Sequence, residues 1–333
     1  MALRTRRGRT RRGRLRRALV ATLVAASVAV PIAGAARPAS VPAPAPTVSG
    51  PPAAATPTAL AERYAASRRD IGAARRMAAD HGDRKRADAL RVMAHPARQF
   101  LSFDGREGGR TVEVVGDLAR AERIAVVVPG AGVLVDNYWR LSGGARALHR
   151  ELGDRSAVVA WLGYETPPTV SLAAATSGRA DSAAHELRKF LAELEKLKPA
   201  ARVSLVCHSY GSVVCARAAS TPGLADVVLF GSPGTGYDNA AALKTRATVW
   251  AGRSSGDWIA DTPHLQVPLL VTEIGFGTDP MSEEFGAKRF PAGDGGHSDY
   301  LKPGSVPLKN IARIVCGQDP EDPSTSTSGG RHA

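Results

Sequence analysis

Between Arg123 and Cys316, short runs rich in valine, isoleucine and alanine alternate with longer stretches of helical periodicity, and this alternation constrains the fold more than any other feature. Apolar β-branched runs at 123–129, 156–162, 202–207, 225–230, 245–251 and 267–274 read as strands. Helical patterns lie at 136–152, 179–197, 210–220 and 307–316. Strands separated by helices pair in parallel, because a parallel connection needs a crossover of a dozen or more residues. Two earlier runs, 99–104 and 110–117, are joined only by residues 105–109, too few for a crossover, so they form an antiparallel hairpin. The expected architecture is α/β: a mixed, mostly parallel eight-stranded sheet with helices on both faces.

Around this unit the composition shifts. Residues 1–35 hold nine arginines and no acidic residue, an apolar stretch from Ala18 to Val30, and the small-residue pattern Ala33-Gly34-Ala35. That is the build of a secretory signal peptide, which implies a secreted protein. Thr10-Arg11-Arg12-Gly13-Arg14-Leu15-Arg16 approximates a twin-arginine signal, so the route is the general secretory one or the twin-arginine one. The alternative is an uncleaved anchor, for which an apolar run of about 13 residues is short of the roughly 20 a spanning helix needs. Membrane contact is expected only through this segment. Removing its nine charges from the formal +13 leaves +4, which takes away the electrostatic case for a nucleic-acid partner. Residues 36–58 form an Ala/Pro-rich linker, expected to be exposed. Residues 59–98 form a helical N-terminal segment with aspartates interleaved among its arginine pairs, 99–316 the α/β unit, and 317–333 a disordered Pro/Ser/Thr/Gly tail.

The chain has three cysteines, Cys207, Cys215 and Cys316. In an oxidising compartment at most one intrachain disulfide can form, and with Cys207 at a buried strand end the more natural pair is Cys215–Cys316. Spacing alone allows all three pairings and the reduced state. No zinc-type Cys/His spacing and no phosphate or dinucleotide loop is present, so neither metal nor cofactor is expected.

The strand Arg202-Val203-Ser204-Leu205-Val206 runs through Cys207-His208-Ser209-Tyr210-Gly211 directly into a helical stretch. A strand-to-helix turn this tight, with small residues two before and two after a serine, is the sequence form of a nucleophile elbow. Cysteine replaces glycine at the first small position. Such a serine needs an acid and a histidine further along the chain. Asp257 lies just beyond the strand Ala247-Thr248-Val249-Trp250-Ala251, and His297 sits in the glycine-rich loop Gly293-Asp294-Gly295-Gly296-His297-Ser298. The rivals are Asp261 and Asp238 for the acid, and His208, His264 and His332 for the base. An oxyanion site would take the Tyr210 amide and that of Ala131, or of Gly132, from Pro129-Gly130-Ala131-Gly132 after the strand 123–129. Trp161 and Tyr164 follow a strand near this site and are candidate substrate-pocket walls.

These motifs carry a family resemblance. Val128-Pro129-Gly130-Ala131-Gly132, Trp161-Leu162-Gly163-Tyr164, Cys207-His208-Ser209-Tyr210-Gly211, Phe230-Gly231-Ser232-Pro233-Gly234, Trp250-Ala251-Gly252-Arg253 leading to Asp257, and Gly296-His297-Ser298 together resemble the α/β-hydrolases. More narrowly, the chain is similar to the exported actinobacterial group known as DUF1023. The resemblance implies an α/β-hydrolase fold and serine-hydrolase chemistry, and no particular substrate. The expected activity is that of a carboxylesterase on small or accessible acyl esters, small-molecule or lipid-like. The same triad would serve a peptidase, amidase or lipase. The reading from another class is a non-catalytic cell-envelope binding protein on a hydrolase scaffold, using the 59–94 helices as its contact region.

Overall fold

The structure is a computed structural model, and it describes residues 41–48, 50–168, 177–261, 266–269 and 272–322. The signal segment, His264, His332 and the tail beyond 322 lie outside the described residues. Two helices come first, α1 (Pro57–Asp80) and α2 (Arg84–Met93). Each starts on a side-chain cap: Thr56 Oγ1 accepts from the Ala59 amide at 3.3 Å and Asp83 Oδ1 from the Arg86 amide at 2.9 Å. The remaining order is β1 (Gln99–Asp104), β2 (Arg110–Gly116), β3 (Arg123–Val128), α3 (Trp139–Leu152), β4 (Ser156–Leu162), α4 (Ser177–Leu197) and β5 (Arg202–His208). Then come α5 (Gly211–Ala218), β6 (Leu224–Phe230), β7 (Thr248–Gly252), β8 (Gln266–Leu269), β9 (Thr272–Gly275), β10 (Lys288–Arg289) and α6 (Val306–Val315).

The main sheet has eight strands in the order β1-β2-β4-β3-β5-β6-β7-β10. β1–β2 and β2–β4 are antiparallel, and every pair from β4–β3 to β7–β10 is parallel. Strands covered on both faces need apolar residues at every position rather than at alternate ones, and all seven residues of β4 are buried. One core layer packs α4 and α5 on the sheet through Leu187, Leu191, Val214 and Leu205, and the other packs α2, α3 and α6 through Leu90, Leu148, Ile311 and Val206.

Three expectations need correction. The apolar run 267–274 is not the eighth strand of the main sheet. It supplies β8 and β9, a separate antiparallel ribbon, and the eighth strand is β10, two residues that hydrogen-bond alongside Trp250 and Ala251. So short a strand has no periodicity for a sequence to display. The stretch read as an exposed linker is tied down where it is described. Thr47 donates its amide and its hydroxyl to Asp70, at 3.1 and 2.7 Å, and Pro51 accepts from the buried Arg63 at 3.0 Å. Asp70 on α1 is buried, and the linker supplies the donors that a buried carboxylate needs. At the other end, the Glu321 amide donates to Asn310 at 2.8 Å, so the start of the tail rests on α6. Among the described residues no helix is long and apolar enough to cross a membrane.

Candidate active site

β5 delivers Ser209 to the carboxyl edge of the sheet, where it stands at φ 52°, a left-handed conformation that a residue with a Cβ rarely adopts. Hydrogen bonds on both sides hold it there. The Ser209 amide donates to Phe230 at the end of β6 (3.0 Å), and the Ser212 amide donates back to the Ser209 carbonyl (2.9 Å) to open α5. The crossing leaves no room at two glycines. A Cβ on Gly211 would lie 2.6 Å from the Val128 carbonyl oxygen, and one on Gly130 would lie 2.7 Å from the Ser209 Cβ.

Cys207, at the first small position of the motif, is disulfide-bonded to Cys215, with Cα atoms 6.4 Å apart, and Cys316 is free. This overturns the Cys215–Cys316 pairing. A strand that turns sharply into a helix brings the helix's second turn back over the strand end, so residues eight apart in sequence become neighbours. The side chain at 207 points into the α5 layer rather than into the crossing, so a sulfur fits where Gly211 tolerates nothing.

Ser209, Asp257 and His297 are brought together. The His297 Nε2 is 2.9 Å from Ser209 Oγ, and its Nδ1 is 2.8 and 3.1 Å from the two oxygens of Asp257. With Nδ1–H donating to Asp257, Nε2 is left to accept from the serine hydroxyl. The loop from β7 places the acid: Ser254 Oγ donates to the Ala292 carbonyl (2.6 Å), the Asp257 amide to the Ser254 carbonyl (3.1 Å) and the Ser255 amide to the Gly293 carbonyl (3.0 Å). The loop of the acid and the loop of the histidine are thus stitched to each other. Asp257 also accepts from the Tyr300 hydroxyl (2.6 Å) and the Ile259 amide (2.9 Å). Burial pushes its carboxyl up, but hydrogen bonds from His297, Tyr300 and Ile259 outweigh that and hold it below its ordinary value. Tyr300 is itself raised, by burial first and then by Asp257, so it remains a donor. Asp261 and Asp238 are exposed, and neither bonds to His297.

His208 is not placed as a base. Its Nε2 donates to the backbone carbonyl of His297 at 2.8 Å, and its ring stacks on Phe230 and stands 4.8 Å from the His297 ring. Burial, followed by the neighbouring His297, pulls its pKa down to about 4, so it is neutral at ordinary pH. The Ala131 and Tyr210 amides donate to no acceptor among the described residues. Gly132 is spoken for, since its amide donates to Pro167 at 2.7 Å. Trp161 and Tyr164 are not open pocket walls: both are buried, stacked on each other at 5.9 Å, with Tyr164 also stacked on Tyr210. The Tyr164 hydroxyl donates to the Pro129 carbonyl at 2.7 Å, so these rings brace the Ala131 loop from behind. The side chain that does stand open beside His297 is Trp258, 51% exposed with its ring 4.8 Å from the imidazole. Sequence reasoning passed over Tyr300 and Trp258, and weighed His208 only as a rival base. The available signal was proximity in the chain, since each lies within three residues of a triad member.

A family model described as an α/β hydrolase matches residues 104–267. The uncharacterized protein Mb0988c of Mycobacterium bovis is 30% identical over 186 residues, 49% of this chain and 70% of that protein. The chain belongs to the α/β-hydrolase superfamily. Rv2079 of Mycobacterium tuberculosis, also uncharacterized, is 30% identical over 257 residues, but these are 65% of this chain and only 38% of that longer protein. Among solved structures, a lidless α/β serine hydrolase from Xanthomonas campestris is similar at 17% identity and TM-score 0.44, covering 68% of this chain and 98% of that one. A fungal esterase from Rhizomucor miehei is similar at 12% identity and TM-score 0.41, covering 81% and 97%.

Proposed function

We propose that this α/β-hydrolase is a secreted serine hydrolase, a carboxylesterase acting on small or accessible acyl esters. The observation that carries the reading is the unbroken hydrogen-bonded chain from Ser209 Oγ through His297 to Asp257, set on a turn at positive φ. In this mechanism Ser209 Oγ attacks the ester carbonyl carbon while His297 Nε2 takes the hydroxyl proton. The imidazolium that forms is stabilised by Asp257, which stays ionised. Negative charge gathering on the carbonyl oxygen is met by the Ala131 and Tyr210 amides. His297 then returns the proton to the leaving alkoxide, and a water, deprotonated by the same nitrogen, releases the acid and restores Ser209. Export rests on the arginine-rich start, apolar stretch and small-residue pattern of residues 1–35.

A fluorophosphonate probe tests the reading together with the Ser209→Ala variant. Wild type is expected to label stoichiometrically, and the variant to lose labelling along with turnover of an activated ester, by a factor on the order of 10⁶. Undiminished turnover in a folded Ser209→Ala protein would remove Ser209 from the mechanism. An unlabelled wild type would favour the binding-scaffold reading. Parallel ester and peptide panels separate esterase from amidase.

A further inference from the structure

Four large apolar side chains are well exposed among the described residues: Met77, Val92, Trp139 and Trp258. Two of them, Val92 at 54% and Trp139 at 68% exposure, line one groove of about 380 Å³ between α2 and the start of α3. Met93, Val135 and Tyr138 also line it, with Lys85 and Arg91 among the surrounding cations. A second groove of about 270 Å³ continues it along α1, shares Asp88 and Arg91, and adds Arg75 and Arg76. The Arg140 guanidinium lies 5.5 Å from the Trp139 ring centre.

The charge of this face is one-sided. Asp136 is taken up by the buried Arg86, so it does not offset the exposed cations. Asp80, Asp83 and Asp88 remain, the last paired with Arg91 at 3.5 Å, against Arg76, Arg84, Lys85, Arg91 and Arg140, all exposed, and the half-buried Arg75. The cations are spread along three helices and do not converge on a point. That arrangement suits a charged plane rather than a small anion. A tryptophan and a valine standing proud among dispersed cations have the composition of a surface that seats its apolar tips at a bilayer interface and its cations on anionic headgroups.

We propose that the face formed by α1, α2 and the start of α3 docks on an anionic lipid surface, with Trp139 and Val92 entering the interface. This contact is additional to any made by the arginine-rich N-terminal segment, and it stands independently of the hydrolytic reading. Trp139 follows directly on the loop that carries Ala131, and Asn137 ties that loop to it by donating to the Gly132 carbonyl at 2.7 Å. Docking there would hold the candidate oxyanion loop on the membrane side of the protein, next to lipid-borne esters.

The test uses the full chain with vesicles of phosphatidylcholine alone or mixed with phosphatidylglycerol. Sedimentation is expected to show binding to the mixed vesicles, weakened by salt, and reduced about fivefold for each cation neutralised in Lys85→Gln/Arg91→Gln. Brominated phosphatidylglycerol locates the contact, because Trp161 and Trp250 are buried and only Trp139 and Trp258 are open to quenching. Quenching should disappear in Trp139→Phe and persist in Trp258→Phe. Binding that ignores phosphatidylglycerol, binding unchanged in the double variant, absent quenching, or quenching that follows Trp258 would each overturn the proposal. Ser209→Ala is expected to bind vesicles like wild type, and the double variant to hydrolyse a soluble ester like wild type, so docking and catalysis are read separately.

Discussion

Two buried carboxylates, Glu113 on β2 and Asp257 beyond β7, are each fully surrounded by donors, yet the donors differ in kind. Glu113 accepts from Arg98 Nε and Nη2 (2.7 and 2.6 Å) and from Arg146 (3.1 Å), so its charge is matched by guanidiniums that never deprotonate. Asp257 accepts from a phenol, an amide and an imidazole, which carry no permanent charge. The first cluster is electrostatically complete at rest and can do nothing further. In the proposed mechanism the second holds a negative charge in place for a cation that exists only once His297 has taken a proton. What sets Asp257 apart is that one of its neutral donors is an imidazole, a group able to take up a proton.

The largest expected effect sharpens that contrast. Asp257→Asn keeps the shape but cannot favour the needed histidine tautomer or offset the imidazolium, and kcat should fall by roughly 10⁴, with stability changed by about 1 kcal/mol or less. Glu113→Gln should do the reverse. It leaves Arg98 buried beside a neutral amide, costing about 3–5 kcal/mol, while kcat per folded molecule is unchanged. Ester turnover and urea denaturation on both variants decide the matter. An Asp257→Asn protein that unfolds as readily as Glu113→Gln would erase the distinction.

Next in size is the disulfide, which ties the elbow's strand to its helix. Closing a loop of eight residues is worth about 2–3 kcal/mol in the chain-entropy model. Reductant should therefore lower the unfolding midpoint of wild type and leave that of a Cys207→Ala/Cys215→Ala variant unmoved, whereas Cys316→Ser should respond like wild type. A wild type indifferent to reductant would return the elbow to backbone hydrogen bonds alone.

The meeting of Ser209, His297 and Asp257 was legible because Ser209 and Asp257 follow the ends of apolar runs such as 202–207 and 247–251, and because His297 lies in a glycine-rich loop further along the chain. Their chain order and their glycines supplied the rest. The disulfide was not legible, because judging Cys207 by its burial ignored how a tight turn folds the helix back over the strand. β10 was invisible for lack of length. Trp161 and Tyr164 face away from the site: an aromatic near a site can face either way, and only packing shows that their rings back the loop of Ala131. His208, Tyr300 and Trp258 make contacts between segments far apart in the chain, and such contacts leave no period in a sequence.

The smallest expected effect concerns His208, which joins the strand before Ser209 to the loop of His297. His208→Phe keeps an aromatic ring against Phe230 but loses the donor to the His297 carbonyl. A hydrogen bond worth about 0.5–1.5 kcal/mol then disappears from the positioning of the base, and kcat should drop by about three- to tenfold at unchanged KM. Stability provides a second readout. The folded pKa of His208 is about 4, against 6.5 for an ordinary histidine, so between these values the unfolded chain binds the extra proton. Wild-type stability should therefore decline as pH falls from 6.5 towards 4, with no further loss from this group below that. His208→Phe should flatten the decline. His208→Gln separates the two effects, since an amide can donate to the carbonyl but does not titrate, and it should regain most of the lost kcat while keeping the flattened profile. If the glutamine variant is as slow as the phenylalanine one and the acid slope survives in both, His208 is packing against Phe230 and nothing more.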